Sequence, residues 1–462
     1  MSVTDDVILV DEPATPCSTP GPLQTPEISI GPRYRHGKPS GRLVAHLKQN
    51  HMVRNSMYLL LSSGLQAGLG FAFWILAARL FSAPEVGRAT SLIAATTLIG
   101  FIALLGLNST LVRYLPRSEH KSTMITVAVL LVAGFGAILA LAYALAIPAI
   151  APQLAFLAHR ALFILGFVLL SALAAVNLVT DAVFIACRRA GINAFVDGGI
   201  GGIVKVLLVP LLAGSGAYGL FCASAGGFAA AAVASLILIW TSLHNRPQIK
   251  GAVSAMKPLL RFSGANYIGN VFSLVPTLVV PLIVLDRLGA TRAAYYFVAF
   301  QVANLLYAGI YAVEQNFLAE GGHGEEDLPS LMRRSAKVLA VLVVPACIVV
   351  VAMAHPIMSL FGANYAAHGT GVLIAMALAA IPIAAQNWLI TVLRLSGQLV
   401  AVSVCNVIYA VAICGLAWVL SGHGLTSLSA SWLVGGGFGL VAAAFAVCLG
   451  ARRGTLTGVV PA

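Results

Sequence analysis

Twelve long apolar runs, each close to the roughly 20 residues that carry a helix across a bilayer, constrain this chain more than any motif does. They cover about 57–78, 89–112, 124–147, 162–187, 192–212, 218–240, 267–285, 293–317, 336–353, 371–393, 399–420 and 428–449. A helix pairs its own backbone groups inside the bilayer, so runs of this length read as membrane-spanning helices. A transmembrane barrel would instead show short alternating segments. Composition agrees: 59% of the 462 residues are hydrophobic, 9% are charged against about 25% in a soluble domain, and mean hydropathy is +0.94. These values exclude a soluble enzyme, a disordered chain and a collagenous one. The expected fold is an all-α polytopic membrane protein of about twelve spans.

Residues 1–50 differ from everything that follows. They are polar and carry Pro13, Pro16, Pro20, Pro22, Pro26, Pro32 and Pro39, a composition that cannot bury a core and predicts a disordered tail. Asp5, Asp6, Asp11 and Glu12, with no apolar stretch before a cleavage site, do not make a signal peptide. The net charge of +12 follows from topology. With the tail placed in the cytoplasm, twenty-one of the 27 Lys and Arg fall on the cytoplasmic side, five fall outside, and Lys205 alone lies within a span. Cytoplasmic loops collect Lys and Arg, so both termini are expected inside, and the charge needs no nucleic acid to explain it. Of the seven Cys, six lie in or at the ends of spans and none forms a CxxC, which reads as apolar filling.

The stretch 242–261 is the longest connection near the middle and divides the spans six and six. The expected organisation is a first lobe over 51–241, a cytoplasmic linker over 242–261, a second lobe over 262–450 and a short cytoplasmic tail over 451–462. The halves show a weak repeat. Arg54 precedes Arg79 by 25 residues and Arg261 precedes Arg287 by 26, while Asn108 corresponds to Asn316. Two halves with even numbers of spans share an orientation, and transporters of this kind bind substrate between the lobes and rock to alternate access.

Three segments carry a family likeness. "RNSMYLLLSSGLQAGLGFAFWILAARLFSAPEVGRATSL" (54–92) resembles the first helix and following turn of Wzx-type polysaccharide flippases, relatives of multidrug exporters and peptidoglycan-precursor flippases. "LGLNSTLVRYLPR" (105–117) resembles the end of that family's second helix. "PIMSLFGANYAAHGTGVLIAMALAAIPIAAQNWLITVLRLSGQ" (356–398) resembles its C-terminal stretch. The resemblance implies twelve or fourteen helices in two lobes around a central cavity, in a bacterial cytoplasmic membrane. It also implies transbilayer movement of an oligosaccharide linked to polyprenyl pyrophosphate. Membrane lipids, a glycan polymerase and glycosyltransferases are the candidate partners.

Such a substrate calls for cations and amides facing a wet cavity, and Arg meets phosphate oxygens with a planar fork. Arg79 and its repeat partner Arg287 are candidates; their alternatives are snorkelling to the interface or pairing with Glu85 and Asp286. Arg54, Arg113 and Arg261 stand at cytoplasmic ends, where they either anchor the helices or receive the pyrophosphate. Lys205 lies about 14 residues into the fifth span, roughly 21 Å along the helix, and an ammonium there is a functional candidate by default, expected to hold the pyrophosphate with Arg79 and Arg287. Asp181 and Asp197 flank one short loop at matching depth. Facing each other they would suit proton coupling; a structural pair with Lys205, Arg188 or Arg189 is the alternative. Gln66 and Asn270, among a wider set of amides, are candidates for sugar hydroxyls or for holding helices together. Gly64-x3-Gly68, Gly198-x3-Gly202 and Gly435-x3-Gly439 read as packing surfaces, and Pro276 and Pro281 as a bend in the seventh span.

No HExxH, phosphate-cradling loop or His cluster with ligand spacing occurs in the sequence, so neither metal nor cofactor is expected and covalent catalysis is not. A membrane glycosyltransferase is the best enzymatic alternative, and its short first outer loop, with Glu85 alone, argues against it. Two further alternatives stand: an exporter of amphipathic cations, and a scaffold that holds glycosyltransferases. The first span has no acidic residue, which weakens the exporter.

Overall fold

The computed structural model describes residues 51–118, 120–187, 189–242, 252–323 and 328–452. Residues 1–50 and 453–462 of the expected tails, and the segment 243–251 of the linker, lie outside the described residues. Among the described residues eleven helices are long and apolar enough to cross a membrane, and His51–Leu80, whose described apolar part is Gln66–Leu80, makes twelve. In order they are span 1 His51–Leu80, span 2 Ala83–Ala103, span 3 Lys121–Ile150, span 4 Ala161–Ala186, span 5 Gly191–Leu211 and span 6 Gly216–Ser242. Span 7 is Ala252–Leu288, span 8 Ala290–His323, span 9 Leu328–Ala352, span 10 Ala363–Leu395, span 11 Leu399–Leu420 and span 12 Ser431–Arg452.

The helices form two six-helix lobes. Spans 2, 4 and 6 pack on one another in the first, with span 3 against span 4; spans 10 and 12 pack on each other in the second, with span 8 against span 10 and span 11 against spans 7 and 12. Span 2 crosses between them and packs on spans 7 and 8. Large side chains face outward at helical spacing: Leu162, Leu165 and Leu169 on span 4, Val341 and Ile348 on span 9, Val441 and Phe445 on span 12. Lipid tails are as apolar as these side chains, so such stripes are solvated rather than stranded.

Small residues let the helices approach where apolar attraction alone gives no preference. A Cβ on Gly435 would lie 3.0 Å from the Ile413 backbone, and one on Gly439 would meet the Gln386 amide, so the Gly435-x3-Gly439 surface packs span 12 on spans 11 and 10. Gly202 sits against Leu69 of span 1. Gly68, by contrast, faces open space.

Three departures from the sequence reading bear on the site and on the repeat. Span 2 ends at Ala103, and Leu107–Tyr114 is a separate short helix. Leu105 (φ 47°) and Gly106 (φ 75°) adopt left-handed backbone between them, which stops the helix. In the second lobe the corresponding helix runs unbroken to His323, so the Asn108–Asn316 correspondence joins a broken helix to a continuous one. Span 7 begins at Ala252, making the second part of the linker helical, and it passes through Pro276 and Pro281 without interruption. Span 5 is composite: α-helix over Ala190–Ala194, a π-turn segment over Phe195–Gly201, then α-helix over Gly202–Leu211.

Candidate functional site

Span 5 is wound wide where its chemistry lies. The π segment contains Asp197 and three glycines, Gly198, Gly199 and Gly201. Such bulges insert an extra residue per turn and recur at functional sites. Here the segment places Asp197 on the wall of a cavity of about 250 Å³ inside the first lobe. Spans 1, 2, 4, 5 and 6 each contribute to that wall, through Gln66, Thr96 and Thr97, Asn177 and Asp181, Asp197 and Lys205, and Phe228.

The polar groups in the cavity form a connected set. The Asn177 amide donates to Asp197 Oδ1 at 3.0 Å. The Asp181 and Asp197 carboxyl groups line the same cavity and interact, and Asp197 attracts Lys205. Lys205 Nζ stands 3.6 Å from the centroid of the Phe228 ring, a cation–π contact. Its stem runs over Gly227, where a Cβ would overlap Lys205 Cγ. Thr96 and Ser171 pair at 3.1 Å behind the wall. Two buried oxygens, Asp181 Oδ1 and Asn177 Oδ1, have no hydrogen-bond partner. Asp181 and Asp197 thus line one cavity from spans 4 and 5, and Lys205 is attracted to Asp197.

Arg79 and Arg287 lie elsewhere. Both stand at the end of the bundle where spans 1 and 7 finish. Arg79 directs Nε and Nη2 at the Leu360 carbonyl, at 3.2 and 2.9 Å, across the two lobes. Glu85 is occupied locally: its carboxylate accepts from the Ser82 N–H at 2.9 Å and hydroxyl at 2.8 Å, capping span 2. Arg287 lies 4.3 Å over the Trp418 ring and donates to Ser421 at 3.3 Å, within the second lobe. The repeat thus sets equivalent positions with different partners. The side chains of Arg54, Arg113, Arg261 and Asn270 lie outside the described residues.

The Arg79 end is sealed between the lobes. Trp74 packs on Phe297 with centroids 4.8 Å apart, and Phe71 meets Phe361 edge-on at 5.3 Å. Gly87 of span 2 presses on the start of span 8: a Cβ there would overlap the Ala290 carbonyl oxygen and lie 3.1 Å from the Ala294 nitrogen. Towards the membrane flank an apolar cleft of about 420 Å³ separates Phe71 of span 1 from spans 8 and 9. At the opposite end Glu314 of span 8, 8% exposed, accepts from Arg394 of span 10 at 3.4 Å and from the Thr391 hydroxyl at 3.2 Å.

Sequence reading missed Asn177, Phe228, Gly87 and the Glu314–Arg394 pair. Two of these carry signals. Asn177 precedes Asp181 by one helical turn and shares its face. Glu314 is a carboxylate inside an apolar span, a functional candidate on that ground alone.

No curated protein gives a significant sequence match. The fold matches an inward-facing multidrug resistance MATE family transporter of the MOP superfamily with TM-score 0.67 at 15% identity, over 85% of this chain and 95% of that one. It matches the lipid II flippase MurJ in an inward closed conformation with TM-score 0.63 at 13% identity, over 84% and 87%. An outward-facing MATE structure gives 0.55 at 15% identity, over 87% and 95%. The family described as "Polysaccharide biosynthesis protein" matches residues 75–368, the end of span 1 through the start of span 10. That match takes in Asp181, Asp197 and Lys205 of the cavity, Gly87 and Glu314, and with the two-lobed transporter fold it places this multi-pass membrane chain in the polysaccharide biosynthesis protein family.

Proposed function

We infer that the chain is a flippase. It moves an oligosaccharide linked to polyprenyl pyrophosphate across the bacterial cytoplasmic membrane, by alternating access, with both termini in the cytoplasm. The observation that carries this reading is the conjunction of the polysaccharide biosynthesis family match with a transporter fold that MurJ, a lipid II flippase, shares. The Lys and Arg distribution supports the orientation, which puts the sealed Arg79 end outside.

In this reading Asp181 and Asp197 couple the cycle to protons. Their side chains share a small cavity within one lobe, so gain of a proton changes the repulsion there and biases how spans 1, 4 and 5 pack. Arg54, Arg113 and Arg261 receive the pyrophosphate at the cytoplasmic ends. Arg79 and Arg287 become available to it when the outer seal parts and Arg79 leaves the Leu360 carbonyl. Lys205 stays with the carboxylates, and Gln66 and Asn270 offer amides to the glycan. The lipid tail remains in the bilayer, beside the apolar cleft between span 1 and spans 8 and 9. Glycan polymerase and glycosyltransferases are the expected protein partners.

Depletion in the native host followed by analysis of polyprenyl-linked glycans tests the reading. Accumulation of a completed lipid-linked glycan, reachable only from the cytoplasmic face, is expected. Unchanged lipid-linked pools with intact surface glycan refute it. A second reading, export of amphipathic cations, draws on the carboxylates of the first-lobe cavity. Charge reversal at Lys205 and Arg79 separates the two: it abolishes glycan transport under the first and spares or raises cation efflux under the second.

A further inference from the structure

The first-lobe cavity contains a cation of its own. Among its described lining residues the charged groups are Asp181 on span 4 and Asp197 and Lys205 on span 5. The facing groups from spans 1, 2 and 6, including Gln66, Thr96 and Phe228, are neutral. With all three groups ionised the cluster carries one net negative charge, and a single proton neutralises it.

Two oxygens of the cluster are open to a positive group. Asn177, 4% exposed, lines the cavity with its Oδ1 unpartnered, and the Asp181 Oδ1 beside it is likewise buried and unpartnered. Free oxygens on an amide and a carboxylate are what a proton carrier or a hard cation requires. Yet the ammonium is fixed nearby. Phe228 holds Nζ at 3.6 Å from its ring centroid, and Gly227 clears the way for the Lys205 stem, since a Cβ there would come within 2.9 Å of Lys205 Cε. Asp197 is already served from two sides, by the Asn177 N–H at 3.0 Å and by the Lys205 charge.

We propose that Lys205 is the specificity-determining residue of this cavity: its tethered ammonium takes the place of a metal cation and makes the site one for a single proton, closed to sodium. The inference rests on the reading of Asp181 and Asp197 as the coupling groups. A sodium ion entering the cavity would meet a like charge in a poorly screened space and would compete with Lys205 for the Asp197 carboxylate. A proton meets neither obstacle, because it adds to the free Asp181 oxygen without displacing any partner. Removing the ammonium leaves two carboxylates, an amide oxygen and the threonine hydroxyls, an oxygen-rich set of the kind hard monovalent cations take.

The test uses the full-length protein in lipid nanodiscs. Sodium chloride replaces N-methyl-D-glucamine chloride at constant ionic strength, and the unfolding midpoint is followed by tryptophan fluorescence. The wild type and Lys205→Arg are expected to be indifferent to sodium. Lys205→Ala and Lys205→Gln are expected to gain sodium-dependent stabilisation, with an apparent affinity at least about tenfold tighter than the wild type. The double variant Asp181→Asn, Lys205→Ala loses that gain. Sodium stabilisation of the wild type equal to that of Lys205→Ala overturns the proposal, and so does insensitivity of both Lys205→Ala and Lys205→Gln. The coupling reading fails separately: if glycan transport by Asp181→Asn and Asp197→Asn keeps the wild-type pH dependence, protons are coupled elsewhere, whatever the sodium titrations give.

Discussion

Gly87 offers a way to bias one state of the transporter with a single methyl group. It is buried where span 2 crosses onto span 8, and the group it touches, the Ala290 carbonyl, belongs to the other lobe. A Cβ at Gly87 would overlap that oxygen, approach the carbonyl carbon to 2.7 Å and reach 3.1 Å from the Ala294 nitrogen. These are backbone atoms, so no side-chain rotation relieves the contact. Overpacking of this kind costs about 1–3 kcal/mol. The cost falls on the closed Arg79 end alone, because the contact disappears when the lobes part there. At about 2 kcal/mol the closed-to-open ratio drops roughly 30-fold in Gly87→Ala. Electron–electron distance measurements between spin labels at His159 and Ser359, both exposed at that end, read the ratio directly. A long-distance population should rise from minor to dominant while the overall helical content holds. An unchanged distance distribution together with an unchanged unfolding midpoint refutes the reasoning, since it would mean the two backbones do not meet as described.

The same end gives a weaker, independent perturbation: Arg79→Ala removes both hydrogen bonds to Leu360. Because Arg79 is exposed the shift toward the open form should be smaller than for Gly87→Ala, about fivefold by the same distance assay. Arg394→Met leaves the buried Glu314 carboxylate without its cation, and with Arg394 only 26% exposed the unfolding midpoint should fall by the equivalent of about 1–3 kcal/mol. The double variant Glu314→Gln, Arg394→Met should recover most of that loss, and failure to recover would show that the pair does not act as a unit. Asn177→Ala removes the N–H donated to Asp197, and proton-driven transport in proteoliposomes should fall several-fold more than equilibrium stability does. Gly106→Ala places a Cβ on backbone at φ 75°, with an expected cost of about 1 kcal/mol in thermal unfolding.

The legible part of the site was the part fixed by connectivity. Asp181 and Asp197 sit on consecutive antiparallel helices joined by a short turn, so their depth follows from counting residues on either side of it. Which way each faces is another matter. On these helices apolar residues cover every side, because lipid and protein interior are equally apolar, and hydrophobic periodicity carries little directional signal. Lys205 could therefore be placed by depth and not by partner. The π segment adds to the problem: one extra residue per turn rotates everything after it, and nothing in a run of glycines announces the rotation.

Arg79 and Arg287 show the limit from the other direction. Their spacing from Arg54 and Arg261 correctly marked equivalent ends of spans 1 and 7. The partner of Arg79 is a backbone carbonyl 281 residues away, in a turn whose sequence carries no acidic group, and Arg287 found an indole ring in its own lobe. Backbone acceptors are present at every residue, so sequence pairing rules that match opposite charges looked to Glu85, which instead caps its own helix.

The sequence by itself determined the solvent, the number of spans, their division into six and six, and the depth of Asp181, Asp197 and Lys205. These depend on one-dimensional quantities, apolar length and residue count. Tertiary structure alone decided that the carboxylates, Asn177 and Lys205 share one cavity, that Gly87 abuts the other lobe, and that Glu314 pairs with Arg394. Those outcomes depend on helix rotation and interlobe contact, where the energy differences come from close packing and hydrogen bonds between residues far apart in the chain.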